Sequence, residues 1–205
     1  MKKIFCSAVL ALCASAVVTG TAWADDLQPA MQVKANYPVV ALQNAAAQKR
    51  INLAVAAEMD DMQRDIKAIL REGDLLSASL DSRVSYQDEK IISIRTDKYV
   101  YVDKAAHPMS WEYGRIYRIS DGKLLTLEDI ANLPEFRANA SRYTLDNVAK
   151  AIGKKYGDVL FSRIVKLESM PKDIYLDENK QLHVLIQRYE LAPYAAGILD
   201  VNLDE

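Results

Sequence analysis

The stretch LSASLDSRVSYQDEKIISIRTDKYVYV, residues 76–102, decides the fold. Its apolar and polar residues alternate, which is the period of a β-strand with one buried face. The polar run QDEK at residues 87–90 interrupts the alternation. A break of this kind between two alternating runs predicts a turn, so the stretch is expected to form an antiparallel hairpin. The apolar positions are Leu76, Ala78, Leu80, Val84, Tyr86, Ile92, Ile94, Val100 and Val102.

Upstream of the hairpin, residues 44–71 carry the period of a helix. Apolar residues recur at steps of three and four, which places them on one helix face. These residues are Ile51, Val55, Met59, Met62, Ile66 and Ile69. Asn44 is a suitable N-cap and Gly73 a suitable stop. Before the helix, Pro38 disfavours helical backbone at Tyr37, so residues 37–40 are expected to be extended.

Downstream of the hairpin, strands and helices are both expected. Aromatic residues at 111–119 predict a third strand, which the Asp121–Gly122 turn would close. Thr126 and Asp129 have the spacing of a helix cap. A broken helical pattern follows over residues 136–156, with an interruption near 141–144. A second hairpin at 174–186, with its turn at 177–180, and a last strand at 199–203 complete the chain.

These elements predict an α+β fold. Antiparallel sheets are expected to pack against one long N-terminal helix and a second helical segment. The sequence contains no internal repeat and no linker long enough to separate two bodies. Residues 25–205 are therefore expected to form a single domain.

The first 24 residues have the order of a secretory signal. Lys2 and Lys3 precede an apolar run over residues 4–18, and Ala22–Trp23–Ala24 supplies small residues for cleavage. The apolar run of about 15 residues is shorter than the roughly 20 that span a bilayer. The alternatives are an uncleaved membrane anchor and a lipid anchor at Cys13. Cleavage after Ala24 is favoured, so the protein is expected outside the cytoplasm, in a periplasm or secreted.

Composition narrows the possible functions. Both cysteines, Cys6 and Cys13, fall in the expected signal, which leaves no thiol for a disulfide, a nucleophile or a metal. The formal net charge is −2 with both signs mixed along the chain. This balance argues against a nucleic-acid binder, which usually shows a basic stripe. After signal cleavage no further apolar stretch is long enough to span a membrane.

Familiar catalytic patterns are absent from the sequence. The two histidines, His107 and His183, are far apart, so a metal-protease helix or a deacetylase histidine pair cannot form locally. There is no Gly-x-Ser-x-Gly elbow, no Ser-x-x-Lys motif and no glycine-rich phosphate loop. The protein is therefore not expected to be an enzyme, and no bound cofactor or metal is expected. Pairs of carboxylates leave a glycan hydrolase open as an alternative. The candidates are Glu112, Glu128, Glu168 and Glu190.

Two segments resemble a known family. They are AAHP at 105–108 with SDGKLLTLEDI at 120–130, and IYLD at 174–177 with YELAPYAAG at 189–197. Both are similar to the extracellular domain shared by the anti-sigma factor RsiV and the non-catalytic part of the peptidoglycan deacetylase PdaC. Ala105 stands where that family favours glycine, and Arg188 stands where proline is frequent. The resemblance implies an α+β fold with a PdaC-like half at 33–103 and an RsiV-like half at 104–205.

The resemblance also implies a setting and a role in the cell envelope. In the anti-sigma branch this domain recognises lysozyme, whereas the catalytic deacetylase domain has no counterpart here. The expected function is therefore a secreted, non-catalytic binding module for a lysozyme-like hydrolase or a peptidoglycan glycan. The alternative in a different class is a structural periplasmic scaffold.

Six residues are candidates for ligand binding: His107, Pro108, Tyr189, Glu190, Tyr194 and Gly197. They belong to the two resembling segments, and Tyr189, Glu190 and Tyr194 would form the rim of a ligand-facing loop. The alternative interpretation is a packed corner, because small residues in the run PYAAG permit close backbone approach.

Overall fold

The computed structural model describes residues 32–72 and 75–205. The expected signal, both cysteines and Gly73 lie outside the described residues. The strands are β1 (Gln32–Asn36), β2 (Leu75–Gln87), β3 (Ile91–Val102), β4 (Met109–Arg118), β5 (Ile174–Leu176), β6 (Leu182–Ile186) and β7 (Leu199–Asn202). The α-helices are α1 (Ala45–Glu72), α2 (Leu127–Ala131) and α3 (Leu145–Tyr156), and short 3₁₀ helices occupy Arg137–Tyr143 and Tyr194–Ala196. Across residues 32–72 and 75–205, no helix is long and apolar enough to cross a membrane.

The larger sheet has the strand order β1-β2-β3-β4. The predicted hairpin is formed by β2 and β3, and β4 adds the predicted third antiparallel strand. β1 was not predicted and pairs with β2 in parallel. Residues 37–40 are not a strand. The side-chain amide of Asn52 binds both the N–H and the C=O of Val40 at 2.9 Å and holds that segment against α1.

Helix α1 covers one face of this sheet. It begins where the sequence predicts, since Asn44 Oδ1 accepts hydrogen bonds from the backbone of Ala46 and Ala47 at 3.0 and 3.1 Å. Its apolar face packs in two clusters against residues that alternate along the strands. The buried members are Ile51, Val55, Met59, Met62 and Ile66 from α1, and Ala78, Leu80, Ile92, Ile94, Val100 and Tyr117 from the sheet.

The C-terminal half covers the opposite face. The antiparallel sheet β5-β6-β7 packs with α2 and α3 on Ile91 and Ile116 in one continuous core. Thr126 and Asp129 form the predicted capping box of α2. The predicted interruption near 141–144 is the 3₁₀ helix that ends at Tyr143, after which Thr144 caps α3. The α+β class, with sheets packed on a long helix and a second helical segment, is confirmed.

The two sheets meet where β5 crosses β4. A Cβ atom on Gly114 would lie 2.5 Å from the carbonyl oxygen of Ile174, so only glycine permits this approach. Beside the crossing, the backbone N–H of Leu176 donates to Ser93 Oγ at 2.9 Å. The Gln187 side chain binds the backbone of Glu112 on the free edge of β4, accepting at 3.3 Å and donating at 2.6 Å. Hydrogen bonds therefore flank the crossing on both sides.

A polar cluster ties the same junction together through side chains. Asp200 on β7 accepts from Tyr175 at 2.6 Å, and its other oxygen lies 2.6 Å from His183 Nδ1. Arg95 on β3 donates to the Tyr175 hydroxyl at 3.1 Å and also pairs with Glu112. Arg95 thus links the larger sheet directly to β5 and β7 of the smaller one, and to His183 on β6 only through Tyr175 and Asp200.

This cluster stabilises the charged form of the Asp200 carboxyl. Burial acts to raise the pKa of its carboxyl, but hydrogen bonds from His183 and Tyr175 and the charge of Arg95 outweigh burial and lower it. The pKa of Tyr175 is raised, because the hydroxyl is buried and hydrogen-bonded to Asp200. Tyr175 therefore remains a neutral donor at physiological pH.

Replacing Gly114 with alanine is expected to lower the free energy of unfolding by about 1–3 kcal/mol, because the new methyl group would collide with the Ile174 backbone. Urea unfolding measures the change. Gly153→Ala is the matched control, since its Cβ would meet only Val165 Cγ2 at 3.6 Å within α3. That control should gain about 0.5–1 kcal/mol from helix propensity. Equal stability of wild type and Gly114→Ala would contradict the close crossing.

Asp200→Asn is expected to lower the free energy of unfolding at pH 7 by about 1.5–3 kcal/mol, because two hydrogen bonds to a charged group are weakened. A carboxyl whose folded pKa is depressed stabilises the protein above its unfolded pKa of about 3.9 and loses that contribution as the pH falls further. The difference from wild type should therefore shrink below about pH 4. Urea titrations at pH 7, 5 and 3 measure it, with the exposed Asp60→Asn as control. A constant difference at all three pH values would disprove the assignment.

Candidate functional site

Two distant segments meet at the candidate site. His107 and Pro108 lie in the loop between β3 and β4, whereas Tyr189 and Tyr194 lie between β6 and β7. The His107 ring stacks on the Tyr194 ring with centroids 3.6 Å apart. The Tyr194 hydroxyl donates to the Pro108 carbonyl at 2.6 Å, and the Tyr189 hydroxyl lies 3.3 Å from His107 Nε2. Four of the six candidates therefore form one cluster, here called the His107 cluster.

The centre of this cluster is already occupied by protein groups. Besides His107, the guanidinium carbon of Arg188 lies over the Tyr194 ring, 4.3 Å from its centroid. Little of that ring is left for a ligand to stack on, so Tyr194 acts as a brace between the β3–β4 loop and the C-terminal half. This part of the candidate site has the geometry of the packed corner.

Tyr189 differs from its neighbours because its side chain points outward. It is 49 % exposed and has a φ of 66°. A left-handed conformation is strained for an aromatic residue and persists only where the surroundings enforce it. The contacts with His107 and Tyr194 supply that enforcement, with the Tyr189 and Tyr194 ring centroids 6.0 Å apart. An aromatic ring is thus presented to solvent on a fixed backbone.

Gly197 takes no part in the ring cluster. Its φ of 74° and ψ of −158° are a combination that side-chain-bearing residues rarely adopt. A Cβ atom placed there would meet nothing within 4 Å. The glycine is therefore required by the backbone leading into β7 and not by space for a ligand.

Glu190 lines a separate cavity of about 470 Å³ beside Tyr189. The other lining residues are Leu160, Phe161, Ser162, Ile164, Val165, Lys166 and Leu191. Partial burial raises the pKa of the Glu190 carboxyl, and the nearby charge of Asp173 adds to the effect. A raised pKa means that the charged form of this carboxyl is less stable than it would be in water, so a cation placed beside it would be stabilising.

The cavity is formed by a segment whose sequence predicts no helix or strand. Residues 157–173 follow α3 without regular structure, and the Phe161 N–H donates to the Leu191 carbonyl at 2.9 Å. Phe161 is 64 % exposed and Ile164 is 71 % exposed. The available signal was an apolar run that shows neither helical nor strand period between Gly157 and Pro171.

His183 is separate from the His107 cluster and belongs to the polar junction with Tyr175 and Asp200. Glu112 is likewise engaged there, by Arg95. Among the described residues, no group of three or more potential ligands is arranged to hold a metal ion.

Comparisons with known proteins give a fold but no assigned function. No protein-family model and no curated protein matches the chain. A solved DUF3298 family protein from Pseudomonas aeruginosa matches with a TM-score of 0.55 and 14 % identity, covering 94 % of this chain and 88 % of that one. A member of the same family from Bacteroides fragilis matches with a TM-score of 0.50 and 15 % identity, covering 84 % and 80 %. At this identity the similarity shows that the chain shares the fold of these two DUF3298 structures.

Proposed function

We propose that this protein is an exported, non-catalytic binding module of the cell envelope, and that its partner is a protein of the lysozyme-like hydrolase class. The observation that carries the proposal is an exposed apolar surface, here called the docking surface. It consists of Phe161 and Ile164, which line the cavity together with Glu190, and of the exposed Tyr189, which precedes Glu190 in the chain. Exposed apolar side chains grouped beside a cavity are typical of interaction sites.

The chemistry of the docking surface supports a protein partner more than a glycan. Sugar recognition uses open aromatic faces with polar groups around them, but the Tyr194 ring already lies under His107 and Arg188. The cavity walls are mostly apolar, with the aliphatic Leu160, Val165 and Leu191 among them. Aliphatic side chains offer a sugar no hydrogen bonds, whereas they fit the apolar centre of a protein interface.

The envelope setting rests on the sequence. The first 24 residues have the order of a secretory signal, and two segments resemble the extracellular RsiV-like and PdaC-like domain. The shared fold with DUF3298 proteins is compatible with a non-catalytic domain.

Binding of the purified protein to immobilised lysozyme and to purified peptidoglycan tests the proposal. Lysozyme is expected to bind, and Phe161→Ser should weaken the affinity at least about tenfold, because an aromatic anchor is lost from the interface centre. Biolayer interferometry measures both constants.

Leu53→Ser is the matched control for this experiment. Leu53 is an apolar residue of α1 with similar exposure, 60 %, and α1 lies on the far side of the larger sheet. Its replacement should leave binding unchanged. Retention on peptidoglycan without binding to lysozyme would favour the glycan instead, and binding to neither would contradict the proposal.

The two-carboxylate glycan hydrolase remains a second candidate because the pKa of Glu190 is raised, as a general acid requires. The second carboxylate of such a pair would be Asp173. It already accepts hydrogen bonds from Arg115 at 2.5 Å and from Gln187 at 3.2 Å. Zymography on cell-wall substrate separates the two functions. A cleared band that Glu190→Gln abolishes would establish hydrolysis. The scaffold alternative instead predicts stable self-association in cross-linking and no lysozyme binding.

A further inference from the structure

We propose that Arg188 is the specificity-determining residue of this surface and that it recognises a carboxylate on the protein partner. The inference rests on the proposed function and names a chemical group that the partner must carry.

The guanidinium is held in place before any partner arrives. Its central carbon lies 4.3 Å over the Tyr194 ring. That ring is itself fixed by the stack on His107 and by the hydrogen bond to Pro108. Stacking on an aromatic face orders a planar guanidinium, which reduces the conformational entropy lost when a ligand binds.

The charge of Arg188 has no partner among residues 32–72 and 75–205. Among the described residues it forms no ion pair and no side-chain hydrogen bond, and its Nε atom is buried without an acceptor. Arg95, Arg115 and Arg118, by contrast, each pair with a carboxylate of the chain. The two terminal Nη groups of Arg188 are not among the buried unpaired atoms, so they are the donors that can present a planar fork to the two oxygens of a carboxylate.

The position of Arg188 places this fork at the docking surface. Tyr189, the next residue, is an exposed aromatic, and Glu190 lines the apolar cavity. Arginine beside aromatic and apolar anchors is the composition found at the energetic centres of protein interfaces. The surface thus offers one cation, one exposed ring and one apolar cavity in a short segment.

A peptide titration tests the carboxylate preference without reference to lysozyme. The Nε–H signal of Arg188 in ¹⁵N NMR spectra is expected to shift with a capped tetraglutamate peptide and to remain unchanged with the matching tetraglutamine peptide. Arg137, which is exposed at the start of the 3₁₀ helix Arg137–Tyr143 and lies outside the docking surface, is the internal control. No shift at Arg188, or the same shift at both arginines, would overturn the inference.

Lysozyme binding tests the same residue in an interface. Arg188→Gln is expected to weaken binding about 10- to 100-fold, as the loss of charge-assisted hydrogen bonds requires. Arg188→Lys should recover only part of this, because lysine keeps the charge and loses the fork. Arg137→Gln, an exposed arginine outside the docking surface, should bind as wild type does. Lysozyme whose carboxylates have been converted to amides should bind wild type and Arg188→Gln equally.

The outcomes separate the two proposals. If wild type binds native lysozyme but Arg188→Gln binds equally well, the role of Arg188 is wrong and the binding function stands. If wild type does not bind lysozyme, the proposed function is wrong, and the peptide titration alone decides whether Arg188 selects carboxylates. A shift at Arg188 with inorganic phosphate but not with the glutamate peptide would assign the residue to a phosphate-bearing wall polymer or lipid and overturn the inference.

Discussion

The crossing of β5 over β4 at Gly114 is the constraint on which the rest of the structure depends. Because no side chain separates the Gly114 backbone from Ile174, the smaller sheet can approach the larger one closely enough for Ser93, Gln187 and Arg95 to reach across. The core then closes on both faces of the larger sheet, with α1 on one side and the C-terminal half on the other. This contact also fixes the position of the segment that follows β6. The positions of the His107 cluster and the docking surface therefore depend on it as well.

Elements with a strong local period were predictable from the sequence. The hairpin of β2 and β3, helix α1 with its Asn44 cap, and the capping box at Thr126 are all confirmed, because each signal lies within a few residues of the structure that it specifies. β1 was missed because a five-residue parallel strand gains its partners across the whole of α1. The sequence showed Gly114 only as one glycine in a strand, since its neighbour Ile174 is distant in the chain.

The candidate site was predicted in part for the same reason. The resemblance singled out His107, Tyr189 and Tyr194, which the fold brings together, but it did not show that the cluster is filled by its own side chains. The loop that carries Phe161 and Ile164 has no helical or strand periodicity in its apolar residues, so its sequence predicts no structure for it. Arg188 was visible only as a departure from a pattern, and its place over the Tyr194 ring follows from tertiary contacts.

The parallel pairing of β1 has a consequence for where the chain tolerates shortening. β1 covers residues 77–81 of β2 on the outer side of the larger sheet. Deleting the chain up to Asn36 would remove the strand that pairs with residues 77–81 of β2 and leave their backbone hydrogen-bonding groups unpaired. An unpaired strand edge promotes strand exchange between molecules and aggregation. These five residues therefore protect the edge of β2, and an N-terminal deletion that ends inside them would favour strand-swapped or fibrous assemblies.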